Sequence, residues 1–303
     1  MSAIVKKFCF NCGDGAKKET FYKSKIKLDQ NFDFAFSARR QPDQRHFEVV
    51  RCMQCDLLFS DLGFSESLTQ YGYHESEYYY KDLEPSITDS YLPYIKKATE
   101  RVRFKNLFVE IGGGRGFLLK EGVSLGFKKA IEIEPSENAF KIFSAASHAE
   151  KFFHESFTRE SLRGEKADLI CFFQVLDHMS NPKKFLEDVY FNLNAQGVIL
   201  CVVHDASAIL NKILGRRSPI YDVAHTCFFT RETIKKFFTS VGYKKIEVFP
   251  VSNSYPLFYW LHLSPLPCGV KKIVQMILKM LKLDHFKLSL RAGNLGVIAS
   301  KND

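Results

Sequence analysis

The chain has 303 residues, 46% hydrophobic and 14% aromatic, enough apolar side chain to bury a sizeable core, so the bulk of it should fold. Lys and Arg outnumber Asp and Glu by 43 to 34, a formal charge of +9; this favours phosphates or an anionic surface as partners, set against a merely solvated basic surface. Lys6 and Lys7 lead into a Phe-Cys-Phe-Asn-Cys-Gly run, not the apolar core of a signal peptide. The longest apolar stretch, Tyr255–Leu266, is broken by Pro256, His262 and Pro265, too short to span a bilayer. A cytoplasmic location is the expectation.

In chain order, residues 1–65 are a short basic region with Cys9-x-x-Cys12 and Cys52-x-x-Cys55. Phe21–Leu28 and His46–Arg51 read as strands, with a polar, turn-rich stretch at Asn31–Gln44 between them. Residues 66–105 form a connector with a tyrosine cluster, Tyr78-Tyr-Tyr80, suited to a lid, and a helical run over Ile87–Arg103. From Asn106 short apolar strands alternate with helices. Strands are expected at Leu107–Ile111, Ala130–Glu134, Ala167–Phe173, Val198–His204, Lys245–Phe249 and Gly296–Ser300. Helices are expected over Phe117–Leu125, from Ser136 to about Ser147, over Pro182–Leu193 and over Arg231–Val241, with Gly197 marking a turn. Strands separated by helices of this length make parallel βαβ units, and their unbroken apolar runs suit strands buried on both faces. The fold class is α/β.

Ligands of such sheets bind outside the carboxyl ends of the strands, so the first strand-to-helix turn carries the most information. It reads Gly112-Gly-Gly-Arg-Gly116. A dinucleotide fingerprint needs a glycine where Phe117 stands, and a phosphate-binding P-loop needs a closing Lys-Ser/Thr pair. What remains is Gly-x-Gly-x-Gly preceded by Glu110. Glu134, at the end of the second strand, is placed to accept two ribose hydroxyls.

The run Phe108–Gly116 resembles the first motif of class I S-adenosylmethionine-dependent methyltransferases, and Ile133-Glu-Pro-Ser136 their second. Ala167–His178 resembles their fourth strand and the segment after it. Asn194–Leu200 matches the turn before their fifth strand, without its proline. His225–Thr230 with Gly242-Tyr243 is similar to a segment of small-molecule and sugar methyltransferases. The resemblance implies a Rossmann-like open seven-stranded sheet with helices on both faces and an antiparallel last strand. It also implies S-adenosylmethionine as cofactor, with Gly112, Gly114 and Gly116 along its methionine part and Glu110 ordering the loop. Glu134 would hold the ribose, Phe157 flank the adenine and Gln174 face the methionine end. The methyltransferase domain would span 106–303, with an insertion at about 251–292.

Methyl transfer to a hydroxyl gains from a base titrating near neutrality. His178 and His225 are the candidates, with His204 as a third. The segment after the fourth strand lacks the motifs of base-amino and RNA-carbon methylation, so a small polar acceptor fits best: a sugar hydroxyl, free, nucleotide-linked or in a glycan. A nucleic-acid-binding protein or RNA methyltransferase using the basic cysteine region is the alternative, disfavoured because its cations lack interleaved aromatics. Cys9, Cys12, Cys52 and Cys55 form two knuckles that together suit one structural Zn²⁺ with no open position. This module also resembles that of some sugar methyltransferases. Cys171 and Cys201 read as inert core thiols. The segment 255–283 combines aromatics with an amphipathic, lysine-bearing helix, so peripheral membrane contact is set against core or dimer packing.

Overall fold

The computed structural model describes residues 4–26, 36, 45–76, 82–145, 147–264 and 266–302. Strands β1 (Ile4–Lys6), β2 (Lys18–Tyr22), β3 (Val49–Cys52), β4 (Leu58–Ser60) and β5 (Leu62–Phe64) open the chain. Helices α1 (Glu66–His74) and α2 (Glu84–Thr99) follow. Alternation then begins with β6 (Leu107–Ile111), α3 (Leu119–Ser124), β7 (Lys129–Ile133), α4 (Glu137–Ile142) and β8 (Glu150–Phe153). It continues through β9 (Ala167–Phe173), α5 (Pro182–Asn192), β10 (Leu193–His204) and α6 (Ile209–Leu214). The remainder is β11 (Cys227–Phe228), α7 (Arg231–Val241), β12 (Ile246–Pro256), α8 (Leu257–Leu263), α9 (Cys268–Met280) and β13 (Lys287–Ser300).

Seven strands form one mixed sheet in the order β12-β13-β10-β9-β6-β7-β8. β13 runs antiparallel to both neighbours, whereas β10, β9, β6, β7 and β8 are parallel. This is the Rossmann-like methyltransferase fold. Alternate residues of each strand face opposite ways, so the apolar runs feed two cores. Val109, Ile131, Ile170 and Cys201 face α5, α7 and the cysteine region. Phe108, Ala130, Leu169 and Leu200 face α2 and α3. Cys171 and Cys201 are fully buried, one in each core, and burial pushes both thiols up.

The helix ends follow local chemistry. Asn181 caps α5 by accepting from the Lys184 amide, with Pro182 at the first turn, where a missing N–H costs nothing. Thr230 and Thr233 form a reciprocal capping box on α7, and Gly242 closes it at φ 113°, a left-handed cap that glycine takes without strain.

Several expected boundaries shift. α4 stops at Ile142 rather than near Ser147, because Phe143 turns extended and packs its ring on Phe152 at 5.0 Å. Gly197 marks no turn; it lies in a bulge within β10, where a Cβ would meet the Ala167 carbonyl oxygen at 2.8 Å. β12 and β13 pair far beyond the sheet, down to Pro256 opposite Lys287, so much of the expected insertion is a long hairpin bearing α8 and α9 at its tip. Lys7, read from sequence as either an anion-facing or a solvated cation, is buried and donates to the Phe64 and Ser180 carbonyls. Tyr78–Tyr80 lie outside the described residues, as do positions 31–35 and 37–44 of the polar stretch.

The cysteine region is joined to the main domain at two levels. β2, β3 and β4 form a sheet completed by β11 from much later in the chain. Cys9, Cys52 and Cys55 sit in the same apolar cluster as β6 and β9.

Candidate active site

The strand order reverses between β6 and β9, and a cavity of about 900 Å³ opens beyond their carboxyl ends. At one end lies the glycine loop. Gly112, Gly114 and Gly116 have φ of +72°, +69° and +72°, a left-handed backbone that side chains disfavour. At Gly113 the limit is space, since a Cβ would lie 2.2 Å from Glu110 Cδ and 2.6 Å from Glu132 Oε2. Arg115 anchors the loop outward by a two-pronged pair with Glu84 at the start of α2.

Beneath the loop lie three buried acids. Glu110 on β6 stands opposite Glu132 on β7, and Glu134 follows on the same face. Gly113 donates to Glu132 at 2.8 Å, and Gly114 to Glu134 at 3.1 Å. The Ser136 amide also donates to Glu134, at 2.9 Å. The amides of the loop thus meet Glu132 and Glu134, while Glu110 bonds Glu132. Two carboxyl groups can hydrogen-bond only when one is protonated. Burial pushes Glu110 up to about 8, against the hydrogen bond from Glu132 and with the charge of Glu134. Burial also raises Glu132, helped by the neighbouring charges of Glu110 and Glu134. Glu134 is raised by burial, an effect opposed by its two backbone donors.

Gln174 and Phe157 line the same cavity. Gln174 follows β9 directly, at φ +58°, a strained conformation of the kind that gathers at functional sites. Its buried Oε1 meets no hydrogen-bond donor among the described residues. Phe157 packs edge-on against Phe185, ring centres 5.7 Å apart.

Further along, His178, His204 and His225 converge. The His178 and His225 rings are 4.3 Å apart, and those of His204 and His225 4.8 Å. Under them Asp177, 1% exposed, bonds His204 Nδ1 at 2.8 Å and accepts from the His204 amide at 3.3 Å. Burial alone would raise Asp177, but His204's hydrogen bond and the nearby imidazoles hold it well below the usual carboxylate range. An ionised carboxylate on Nδ1 keeps the proton there and leaves Nε2 as the basic nitrogen. Donor atoms of Asp177, His204 and His225 lie within 4.8 Å of one another, close enough to share a cation. The loop carrying His225 is held from outside the sheet: Ser60 donates to the His225 carbonyl at 3.0 Å, and Thr226 to Asp177 and Met179 carbonyls.

The four cysteines of the N-terminal region are brought together, with sulfurs all within 4.8 Å of one another. Cys9 and Cys55 are 3.5 Å apart, too far for a disulfide of about 2.05 Å, and the Cys12 amide donates to the Cys9 sulfur at 3.4 Å.

Sequence reasoning did not single out Glu132 or the Asp177–His204 pair. The signal for Glu132 was its position two residues before Glu134 on one strand, which puts both on one face. The pairing of Asp177 with His204 depends on the register of β9 and β10, which nothing local specifies.

A parallel sheet with one antiparallel strand, a glycine loop after the first central strand and an acid after the second define the class I methyltransferase architecture. Residues 91–248 match the model of a family described as a methyltransferase domain, more than half of the 303 residues. The chain belongs to this family and is an S-adenosylmethionine-dependent methyltransferase. No characterised protein is significantly similar to it in sequence. Solved structures similar to it include an S-adenosylmethionine-dependent methyltransferase from Archaeoglobus fulgidus, at 14% identity over 74% of this chain and 99% of that one, TM-score 0.47. Another, from Thermotoga maritima, is 17% identical over 74% and 93%, TM-score 0.46. Human N-acetylserotonin methyltransferase is 15% identical over 79% of this chain and 57% of that one, TM-score 0.48. Among the described residues no helix is long and apolar enough to cross a membrane.

Proposed function

We propose that the enzyme methylates a hydroxyl of a small polar acceptor, a sugar that is free, nucleotide-linked or part of a glycan, with the histidine cluster as base. The observation that carries this reading is the Asp177–His204 pair, 2.8 Å apart, whose His204 lines the cavity that the glycine loop also lines. His178 and His225, the candidates from sequence, flank it. His204 is oriented by the Asp177 carboxylate, so it takes the hydroxyl proton while His178 and His225 position the acceptor.

The residues present fit the cofactor. The close backbone approach at Gly112, Gly114 and Gly116 suits its methionine part, Gln174 Oε1 suits the ammonium group, Glu134 the ribose hydroxyls and Phe157 the adenine face. When bound, the sulfonium supplies an electrophilic methyl group. The protein's task is to hold the acceptor oxygen in line with it, exclude water and accept one proton.

Cys9, Cys12, Cys52 and Cys55 are proposed to hold a structural Zn²⁺. Zinc–sulfur bonds of about 2.3 Å imply tetrahedral sulfur separations of about 3.8 Å, near the 3.5 Å between Cys9 and Cys55. The thiols suit a reducing compartment such as the cytoplasm.

The test is turnover on a panel of sugars and nucleotide sugars, read by mass, for the wild type and for His178→Gln, His204→Gln and His225→Gln. His204→Gln is expected to lose about 10²–10³-fold in kcat, with the affinity for S-adenosylmethionine unchanged by calorimetry. Full turnover in all three variants would sink the base assignment. Methylation of RNA in place of sugars would sink the acceptor assignment.

A further inference from the structure

The tip of the β12–β13 hairpin carries many of the exposed large apolar side chains among the described residues. α9 contacts α8, yet among its residues only Lys271, Val274 and Leu278 are even partly covered. At about 100° per residue, Val270, Ile273, Met276, Ile277 and Met280 fall on one side of the helix, and Lys272, Gln275 and Lys279 on the other. Ile273 is 57% exposed and Met280 76%. α6 repeats the pattern with Ile209 and Ile213 at 78% and 76%, flanked by Lys212, Arg216 and Arg217.

Three observations say what covers this face. First, its charge has one sign. No acidic residue occurs between Glu247 and Asp284, nor between Asp205 and Asp222. A symmetric dimer through it would set cations against cations, whereas an anionic lipid surface supplies the missing charge. Second, the aliphatic residues come with aromatics of interfacial type; Trp260 is partly exposed and donates to the Leu288 carbonyl at 2.9 Å. A helix with an apolar face and lysines opposite lies in the plane of a bilayer surface, with the lysine stems reaching the headgroups. Third, the same elements rim the cavity. Leu210 and Leu214 of α6, Trp260 and Leu263 of α8, and Leu290 and Arg291 of β13 all line it. The start of α6 meets β13, where Asn211 and Ala208 approach Gly293. The crevice therefore opens between α6 and the α8–β13 part of the hairpin that carries α9.

We propose that the face formed by α6, α8, α9 and the outer half of β13 seats on an anionic bilayer, so that the enzyme takes its acceptor from the lipid surface. The proposal rests on the methyl-transfer reading only for which end of the crevice receives the acceptor. Lipid binding itself requires neither cofactor nor acceptor.

The experiment is flotation of the full-length protein with vesicles of phosphatidylcholine alone and of phosphatidylcholine with phosphatidylglycerol. Binding is expected to the anionic vesicles, and to weaken without vanishing as salt rises, since only the charged part is screened. The double variant Ile273→Glu/Ile277→Glu removes two exposed side chains, so its thermal midpoint and S-adenosylmethionine affinity should stay unchanged. Its bound fraction should fall at least about tenfold. No binding to anionic vesicles at low salt overturns the proposal, as does binding unchanged in the double variant. A stable dimer in light scattering that the double variant dissociates, without vesicle binding, assigns the face to a second copy and also overturns it. If vesicles bind as expected but sugars are not methylated, the acceptor reading fails and the lipid surface stands.

Discussion

The two ends of the crevice are made from different materials. At the end proposed for the cofactor the wall is bare backbone, kept in a left-handed conformation by glycine and tethered through its amides to buried acids of the second strand. At the acceptor end it is made of side chains, His178, His204 and His225, delivered by three separate segments and steadied by Asp177 and Ser60. A backbone cradle tolerates few substitutions because its shape is the recognition element. A side-chain cluster can be re-specified one residue at a time while the fold stays intact. The difference suits a constant ligand at the first and a variable acceptor at the second.

The sharpest way to break this comparison is Gly114→Asp. A charged side chain at φ +69° beside Glu134 should lower S-adenosylmethionine affinity by more than about 100-fold, with no measurable heat of binding in calorimetry. Cofactor binding that survives would mean that the loop is not the cradle. Asp177→Asn probes the other end. It should cost about 10²-fold in kcat, leave cofactor affinity unchanged, and move the pH–rate profile because the carboxylate no longer fixes the tautomer of His204. An equal loss of cofactor affinity would show that the two ends are not separable.

Smaller effects test the supports. With the proposed zinc in place, Cys12→Ser or treatment with a strong chelator should lower stability by about 2–4 kcal/mol, read as a drop in thermal midpoint. Because β11 completes the cysteine-region sheet, turnover should fall with it while the affinity of the remaining folded protein for cofactor holds. The smallest effect concerns pH. Glu110 has its folded pKa raised to about 8, so the folded state keeps a proton that the unfolded chain releases at ordinary carboxyl values. Stability linked to this group is present at low pH and is lost as pH rises towards 8. Glu132→Gln removes a second buried carboxyl that burial raises and should flatten the decline in the cofactor-free protein, measured by thermal melts from pH 5 to about 8.

Much of this was legible beforehand, for identifiable reasons. The strands of the parallel sheet were visible because both faces are buried, which writes each one as an unbroken apolar run. The glycine loop was visible because close backbone approach demands glycine. The four cysteines were visible because two Cys-x-x-Cys pairs in one short region are a restricted pattern of residue type and spacing. What escaped notice depends on long-range register. Glu132 looked like one charge among many until β6 placed Glu110 opposite it, and His204 gained its meaning only from Asp177 on the neighbouring strand. α6 and β11 are six and two residues long, too short to express a period. The outer hairpin was missed for another reason: its exposed aliphatic residues are not on one face of a core, so they carry no inside–outside alternation.

The strand β11 has a consequence for how the protein is made. It pairs with β4, and the neighbouring Ser60–His225 contact spans 165 positions. During synthesis the first sixty residues leave the ribosome with one sheet edge unsatisfied, and they wait until most of the chain has been translated before that edge closes. Closing so long a loop is slow, and an open edge invites pairing with other chains in the meantime. A metal clasp at Cys9, Cys12, Cys52 and Cys55 would hold the early segment compact through that interval, so scarcity of zinc should appear first as poor yield of soluble enzyme rather than as a slower one.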